Sequence, residues 1–243
     1  MSEMPRNNSK KALLSAIVAG ALTLGFAGMM AKSCDTPPKH QAQPANPALE
    51  LVDQLASRLV LGLESDATMQ YTTASGAIVI VSQSSPRRAY RGGGVTYIAT
   101  PDGTFLCHAA PAPSPAKGKK AAQPSVSCQE GPGVDTMSPS QAKAISEAFG
   151  GEFLAPEAAL GRLATIANGE GVRTDTSKRG DAQCVSVSAT GLRTETACIN
   201  PAGLLAYFEG TTDAGKATRL VLEYTTPSVT AEAFVPPKTT VKP

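Results

Sequence analysis

The chain has 243 residues, of which 42% are hydrophobic, 17% charged and 5% aromatic, with no tryptophan; that suffices for one core, built from aliphatic side chains. Of 22 basic and 20 acidic residues, Arg6, Lys10, Lys11, Lys32 and Glu3 precede Cys34, which leaves 18 and 19, a net of −1, for the remainder. A near-neutral domain lacks the basic face that neutralises phosphates, so nucleic acid is excluded as a partner.

Residues 12–31 carry no charge and are rich in Ala, Leu, Ile and Val, with Arg6, Lys10 and Lys11 before them. At about 1.5 Å per residue such a run makes about 30 Å of helix, matching a bilayer's hydrocarbon core. The basic flank is expected to stay cytoplasmic and send the remainder across. A buried core helix would explain the apolar run, but not its terminal position or its flank. Residues 1–33 therefore read as a signal peptide or membrane anchor. Ala31-Lys32-Ser33-Cys34 resembles a bacterial lipobox and makes Cys34 a lipidation candidate, with Ala31 and Lys32 departing from that pattern. Lipidation, an uncleaved span and secretion all predict an extracytoplasmic domain. Residues 34–46 form a Pro-rich linker, DTPPKHQAQPA at its centre, which favours an extended spacer. His40 lies in that spacer, where a lone histidine is expected to be solvated.

The domain expected over residues 47–239 opens at Asn46-Pro47, an N-cap followed by proline in the first turn, and Val52, Leu55, Ala56, Leu59 and Leu63 then recur at helical spacing. Strand-like runs follow at 67–73, 77–83, 87–92, 95–100, 104–107 and 125–128, with turn signals at Ser75-Gly76, Gly92 to Gly94 and Asp102-Gly103. Short strands at this spacing predict an antiparallel meander. Ser138-Pro139-Ser140-Gln141 reads as a capping box that introduces Ala142, Ile145 and Phe149 before Gly150-Gly151 ends the helix. A second helix is predicted from Pro156 through Leu160, Leu163 and Ile166 to Asn168-Gly169. Strands resume at 171–176, 183–189, 193–200, 203–210 and 217–226, and residues 240–243 are a tail. Helix, sheet, helix pair, sheet is the order of an α+β fold.

Five cysteines in an exported chain predict two disulfides and one odd residue, which is Cys34. Cys184 and Cys198 lie symmetrically about Gly191, in runs that read as a hairpin. Val185, Val187, Ala197 and Ile199 alternate there with Cys184, Ser186, Thr196 and Cys198, which puts the bridge on the less apolar face. Cys107 and Cys128 flank a Pro/Ala/Lys stretch that cannot be a strand. They read as a second bridge; the alternative is a metal site with His108, although adjacent Cys-His lacks the spacing of zinc knuckles.

Gly180-Asp181-Ala182-Gln183-Cys184-Val185 leading to Cys198, then 202-AGLLAYFEG, 217-ATRLVLEY and the closing Ala233-Phe234-Val235-Pro236-Pro237, resembles the LolA/LppX-like envelope proteins. The likeness covers roughly residues 47 to 239; the Lys-rich insertion at 111–124 departs from it. The resemblance implies a curved antiparallel β half-barrel closed by helices over an apolar cavity, and the binding of lipids or the acyl chains of lipoproteins. Candidate lining residues are Leu55, Leu59, Ile78, Ile80, Tyr97, Leu106, Ile145, Phe149, Leu204 and Phe208, with Leu204, Ala206 and Phe208 alternating along one strand face. The same residues would equally form a packed core.

Catalytic signatures are absent from the sequence. It holds no Cys-x-x-Cys pair, no GxxxxGK loop and two histidines, His40 and His108. Its carboxylates lack the pairing of acid/base hydrolysis, and Gly92-Gly93-Gly94 lacks the strand-helix context of a nucleotide loop. The expectation is a non-enzymatic, cofactor-free protein of the cell envelope, tethered to the membrane and carrying a lipid or acyl chain. The alternative is an interaction or sensor module that regulates a membrane protein partner through its sheet surface.

Overall fold

In a computed structural model describing residues 46–110, 125–211 and 215–238, the local signals become elements whose partners lie far off in sequence. Asn46 caps α1 (Pro47–Leu63), its side chain accepting from the Ala48 N–H at 3.1 Å and donating to the Ala167 carbonyl at 2.8 Å. The helix buries Ala48, Val52, Leu55, Leu59 and Gly62. At its C-terminus the Gln83 amide donates to the carbonyls of Gly62 (2.6 Å) and Ser65 (2.9 Å), satisfying groups that a helix end leaves open. Gly62 and Gly203 meet backbone to backbone, so closely that a β-carbon on Gly62 would lie 2.1 Å from the Gly203 oxygen.

A meander follows: β1 (Ala67–Thr73), β2 (Ile78–Ser84), β3 (Arg87–Gly92), β4 (Val95–Ala99), β5 (Thr104–Ala109) and β6 (Val126–Gly131). The capping box at Ser138 and Gln141 opens α2 (Pro139–Ala148), which stops at Gly150 and Gly151, both at positive φ. Next come α3 (Pro156–Ala167), β7 (Arg173–Arg179), β8 (Ala182–Ser188), β9 (Glu195–Ile199), β10 (Leu205–Thr211) and β11 (Ala217–Thr226). A 3-10 helix, Ala231–Phe234, lies beyond them and has no counterpart in the sequence reading.

The fold is α+β: one open, curved, 11-stranded antiparallel sheet with three α-helices among the described residues. Its order is β6-β5-β4-β3-β2-β1-β11-β10-β9-β8-β7. The two expected sheets are thus one, because β1 pairs with β11 at the centre. The register skips Glu223, between Gln70 opposite Tyr224 and Tyr71 opposite Leu222, which makes a bulge. Beside it the buried Tyr71 hydroxyl donates to the Leu205 carbonyl at 2.9 Å.

The helices cover one face, where Met69, Tyr71, Val79, Val81, Tyr90, Phe208 and Leu220 join Val52, Leu55, Ile145 and Leu163 in the main core. Two smaller clusters lie outside that core: Ala182, Cys184, Cys198 and Tyr207, and Ala89, Ile98 and Phe234. Phe234 brings the 3-10 helix onto β3 and β4, with the Arg87 guanidinium 4.7 Å from its ring. Register corrects two expectations of facing. Val79 and Val81 oppose Tyr71 and Met69, so Ile78 and Ile80 fall on the helix-free face. A second irregularity at Leu205/Tyr207 makes Ala206 the extra residue, and it packs beside the Cys184–Cys198 cluster, away from Phe208.

Both bridges join residues directly opposed in neighbouring strands, Cys107–Cys128 across β5 and β6 and Cys184–Cys198 across β8 and β9. Cys184 and Cys198 sit apart from Val185, Val187, Ala197 and Ile199, as the alternation predicts. Two disulfides are consistent with an extracytoplasmic location. The predicted membrane segment, Cys34 and the linker to residue 45 lie outside the described residues, as does the insertion at 111–124. No helix among the described residues is long and apolar enough to cross a membrane.

Two outcomes are expected. Gly62→Ala forces the α1 terminus off the Gly203 turn and should lower stability by about 1–3 kcal/mol, read as a lower urea midpoint at unchanged slope. Non-reducing peptide mapping should recover Cys107 linked to Cys128 and Cys184 linked to Cys198; free thiols at all four positions would contradict the pairing.

Candidate functional site: the helix-covered face and its clefts

Of the ten residues expected to line a cavity, Leu55, Leu59, Tyr97, Ile145, Leu204 and Phe208 are buried in the main core, and Leu106 and Phe149 pack against it. Ile80 is half-buried on the opposite face and Ile78 is 51% exposed there. The structure therefore gathers eight of the ten, in a packed interior. At its centre Phe153 touches three rings: Phe149 at 5.5 Å, Tyr90 at 5.8 Å and Tyr71 at 6.1 Å between centroids, all tilted or edge-on as aromatic quadrupoles prefer. Tyr90 also meets Tyr97 at 6.2 Å.

Open volume lies at the margins of this core. Between α2 and α3 is a cleft of about 410 Å³ lined by Met137, Pro139, Ala142, Ala158, Gly161 and Ile166, with Glu157 and Arg162 among its polar groups. None of the ten expected residues borders it. Gly161 borders open space, since a β-carbon there would meet nothing within 4 Å. A smaller cleft of about 240 Å³ brings together Ile78 and Phe149 beside Phe153 and Gly150. A third, of about 430 Å³, runs between α1 and β7–β8 and includes Leu55.

Two ion pairs tie α3 to the sheet. Arg162 reaches Glu195 at 2.8 Å; Glu195 is almost fully buried and also accepts from the Thr211 hydroxyl and N–H. Arg88 Nε lies 3.1 Å from Glu157 Oε1, on the first turn of α3. Both Glu157 carboxylate oxygens, Arg88 Nε and the Tyr90 hydroxyl are sealed from solvent without a well-formed hydrogen bond. Burial raises the Glu157 carboxyl above its ordinary range, with Arg88 and its own backbone N–H pulling it back. Burial also raises the Tyr90 hydroxyl well above its usual value, and Glu157 adds to that. Cys107 and Cys128 are bonded to each other, and His108 is exposed beside them.

Sequence reasoning passed over Gly161, Phe153 and the Arg88–Glu157 pair. A glycine inside a helical run was the available signal for the first. For the pair it was the alternation of Arg88 with Tyr90, a charge on an apolar strand face.

No known family and no curated protein matches the sequence. Among solved structures, an uncharacterized conserved protein from Thermus thermophilus is similar at 10% identity over 75% of this chain and 91% of that one, with a TM-score of 0.39.

A raised carboxyl pKa means that the folded state holds its proton more tightly than the unfolded chain does. The Glu157 contribution is therefore fully present below the ordinary carboxylate range and declines as pH rises through the raised value. Arg88→Met strands the carboxylate and should cost about 3 kcal/mol near neutral pH. The loss should shrink as pH falls through the raised Glu157 value, where the stranded carboxyl takes up its proton, and Arg88→Met with Glu157→Gln should recover most of it in the same denaturation series.

Proposed function

We propose that this chain is an extracytoplasmic, membrane-tethered protein of the cell envelope that holds a lipid or acyl chain in a carrier-like, non-catalytic way. On this reading its sheet and helices form a LolA/LppX-like half-barrel, with residues 1–33 as signal peptide or anchor and Cys34 as the lipidation candidate. The observation that carries it is the cleft between α2 and α3. Its volume of about 410 Å³ falls in the ~300–1,000 Å³ range of small-molecule sites, and its walls are mainly apolar, with the exposed Gly161 on its rim. The packed interior argues for a ligand that enters between the helices, rather than one that fills the space under them. Two disulfides and the basic-flanked apolar run at 12–31 support the extracytoplasmic placement.

The interaction or sensor reading has its own support. On the helix-free face Ile78 is 51% and Tyr224 60% exposed, with Ile80 and Val221 half-buried beside them in β2 and β11, the strands that flank β1.

Organic extraction of the protein purified natively from its own envelope tests the first reading. A bound lipid is expected in near-stoichiometric yield. Gly161→Phe should reduce that yield several-fold while leaving the melting temperature unchanged, because the added ring enters open space. Recovery of no lipid, or a yield indifferent to Gly161→Phe, would leave the sheet-surface interaction in its place.

A further inference from the structure

The two ion pairs that hold α3 to the sheet differ in how far their hydrogen bonding is completed. Glu195 receives two guanidinium nitrogens of Arg162 together with the Thr211 hydroxyl and N–H, so both its oxygens are engaged. Around Glu157, by contrast, four polar atoms are sealed without a hydrogen bond: its two carboxylate oxygens, Arg88 Nε and the Tyr90 hydroxyl. Arg88 and Tyr90 alternate on the helix-covered side of β3, and Tyr90 has no exposed surface. The neighbouring Tyr71 hydroxyl is already committed, donating to the Leu205 carbonyl at 2.9 Å. Unmade hydrogen bonds of this kind are costly and scarce inside proteins. Four in one cluster are a site for a further polar group.

The cluster lies against the α2–α3 cleft. Glu157 forms part of the cleft wall, and 25% of its side chain is exposed while neither oxygen is. Its carbon stem therefore meets the cleft, and its carboxylate turns inward to Arg88. Met137 borders both this cleft and a small void against Arg88, Tyr97 and Gln141. An unbranched Met side chain adapts readily to its surroundings, so a rotamer change at Met137 joins the cleft to the sealed atoms. Charge then decides what can reach them. The pair is already neutral: a carboxylate or phosphate head would set a second negative charge beside Glu157, and an ammonium a second positive one beside Arg88, where water does little screening. Hydrogen-bonding capacity narrows the choice further. Two carboxylate acceptors, one guanidinium donor and a phenol that does either match a hydroxyl, which both donates and accepts.

We propose that Glu157, Arg88 and Tyr90 are the polar end of the lipid site and take an uncharged, hydroxyl-bearing head of the monoacylglycerol type; this rests on the lipid reading of the α2–α3 cleft. The full-length protein, stripped of lipid, is titrated near neutral pH with monooleoylglycerol, methyl oleate and oleate, each labelled in the chain, and bound ligand is read after gel filtration. Methyl oleate keeps the chain and its acceptors but donates nothing. Monooleoylglycerol should bind about tenfold more tightly than either, as a buried hydrogen bond or two would give. Tyr90→Phe should remove most of that advantage and leave methyl oleate as before. Glu157→Gln should raise oleate binding about tenfold, because Arg88 is then free to pair with its carboxylate; a merely structural ion pair would not shift the preference between heads. Equal binding of all three compounds, a Tyr90→Phe loss common to all three, or oleate indifferent to Glu157→Gln would overturn this proposal and leave the lipid reading standing. Binding of none would overturn both.

Discussion

Everything in this domain hangs on the antiparallel pairing of β1 with β11. These strands are 144 residues apart from Thr73 to Ala217, yet they lie side by side at the centre of the sheet. The pairing converts two meanders into one surface and fixes where the helices can go. After β6 at one edge the chain must reach β7 at the other, and α2 and α3 are that crossing, laid over the face where Tyr71, Tyr90, Phe208 and Leu220 need cover. The bulge at Glu223 lets Tyr71 stay buried against this crossing while its hydroxyl is satisfied by the Leu205 carbonyl two strands away.

Local structure was legible wherever the signal was local. Asn46-Pro47, the Ser138–Gln141 capping box and the runs at 67–73, 87–92 and 217–226 coincide with element boundaries. The alternation around Cys184 and Cys198 named both the bridge and its face. Three kinds of information were not local. The β1–β11 partnership depends on which sheet edges remain available after every hairpin has formed, and no neighbouring residue encodes it. Bulges move residues between faces, as with Ala206. An unbroken run such as Ile78-Val79-Ile80-Val81 has no alternation to say which pair turns inward, and it is Tyr71 and Met69 across the ladder that decide.

The candidate site was legible in part for the same reason. Helix stripes and strand faces correctly placed Leu55, Leu59, Ile145 and Phe208 on one interior. Whether such residues enclose space or fill it depends on side chains from other elements, chiefly Phe153 from the α2–α3 connection. Open volume appears instead between α2 and α3, at the margin of the core. The helix-free face shows the complementary pattern. There the chain beyond β11 crosses back, with Phe234 seated on Ala89 and Ile98 and the Arg91 guanidinium 3.4 Å from the Val235 carbonyl, so part of an otherwise bare surface is covered by the protein's own last residues.

The central position of β11 also sets an order of events during synthesis. The hairpins from β1 to β6 can form as soon as they emerge, because each partner is the next strand. One edge of β1 nevertheless stays open until residues 217–226 have been made, and until then its N–H and C=O groups and the apolar row Met69, Tyr71 and Val79 are available to any other strand. A truncated or stalled chain is thus a sheet with an unpaired edge where the finished one has its middle. Chain length, more than any single side chain, separates a soluble intermediate from an aggregating one in this topology.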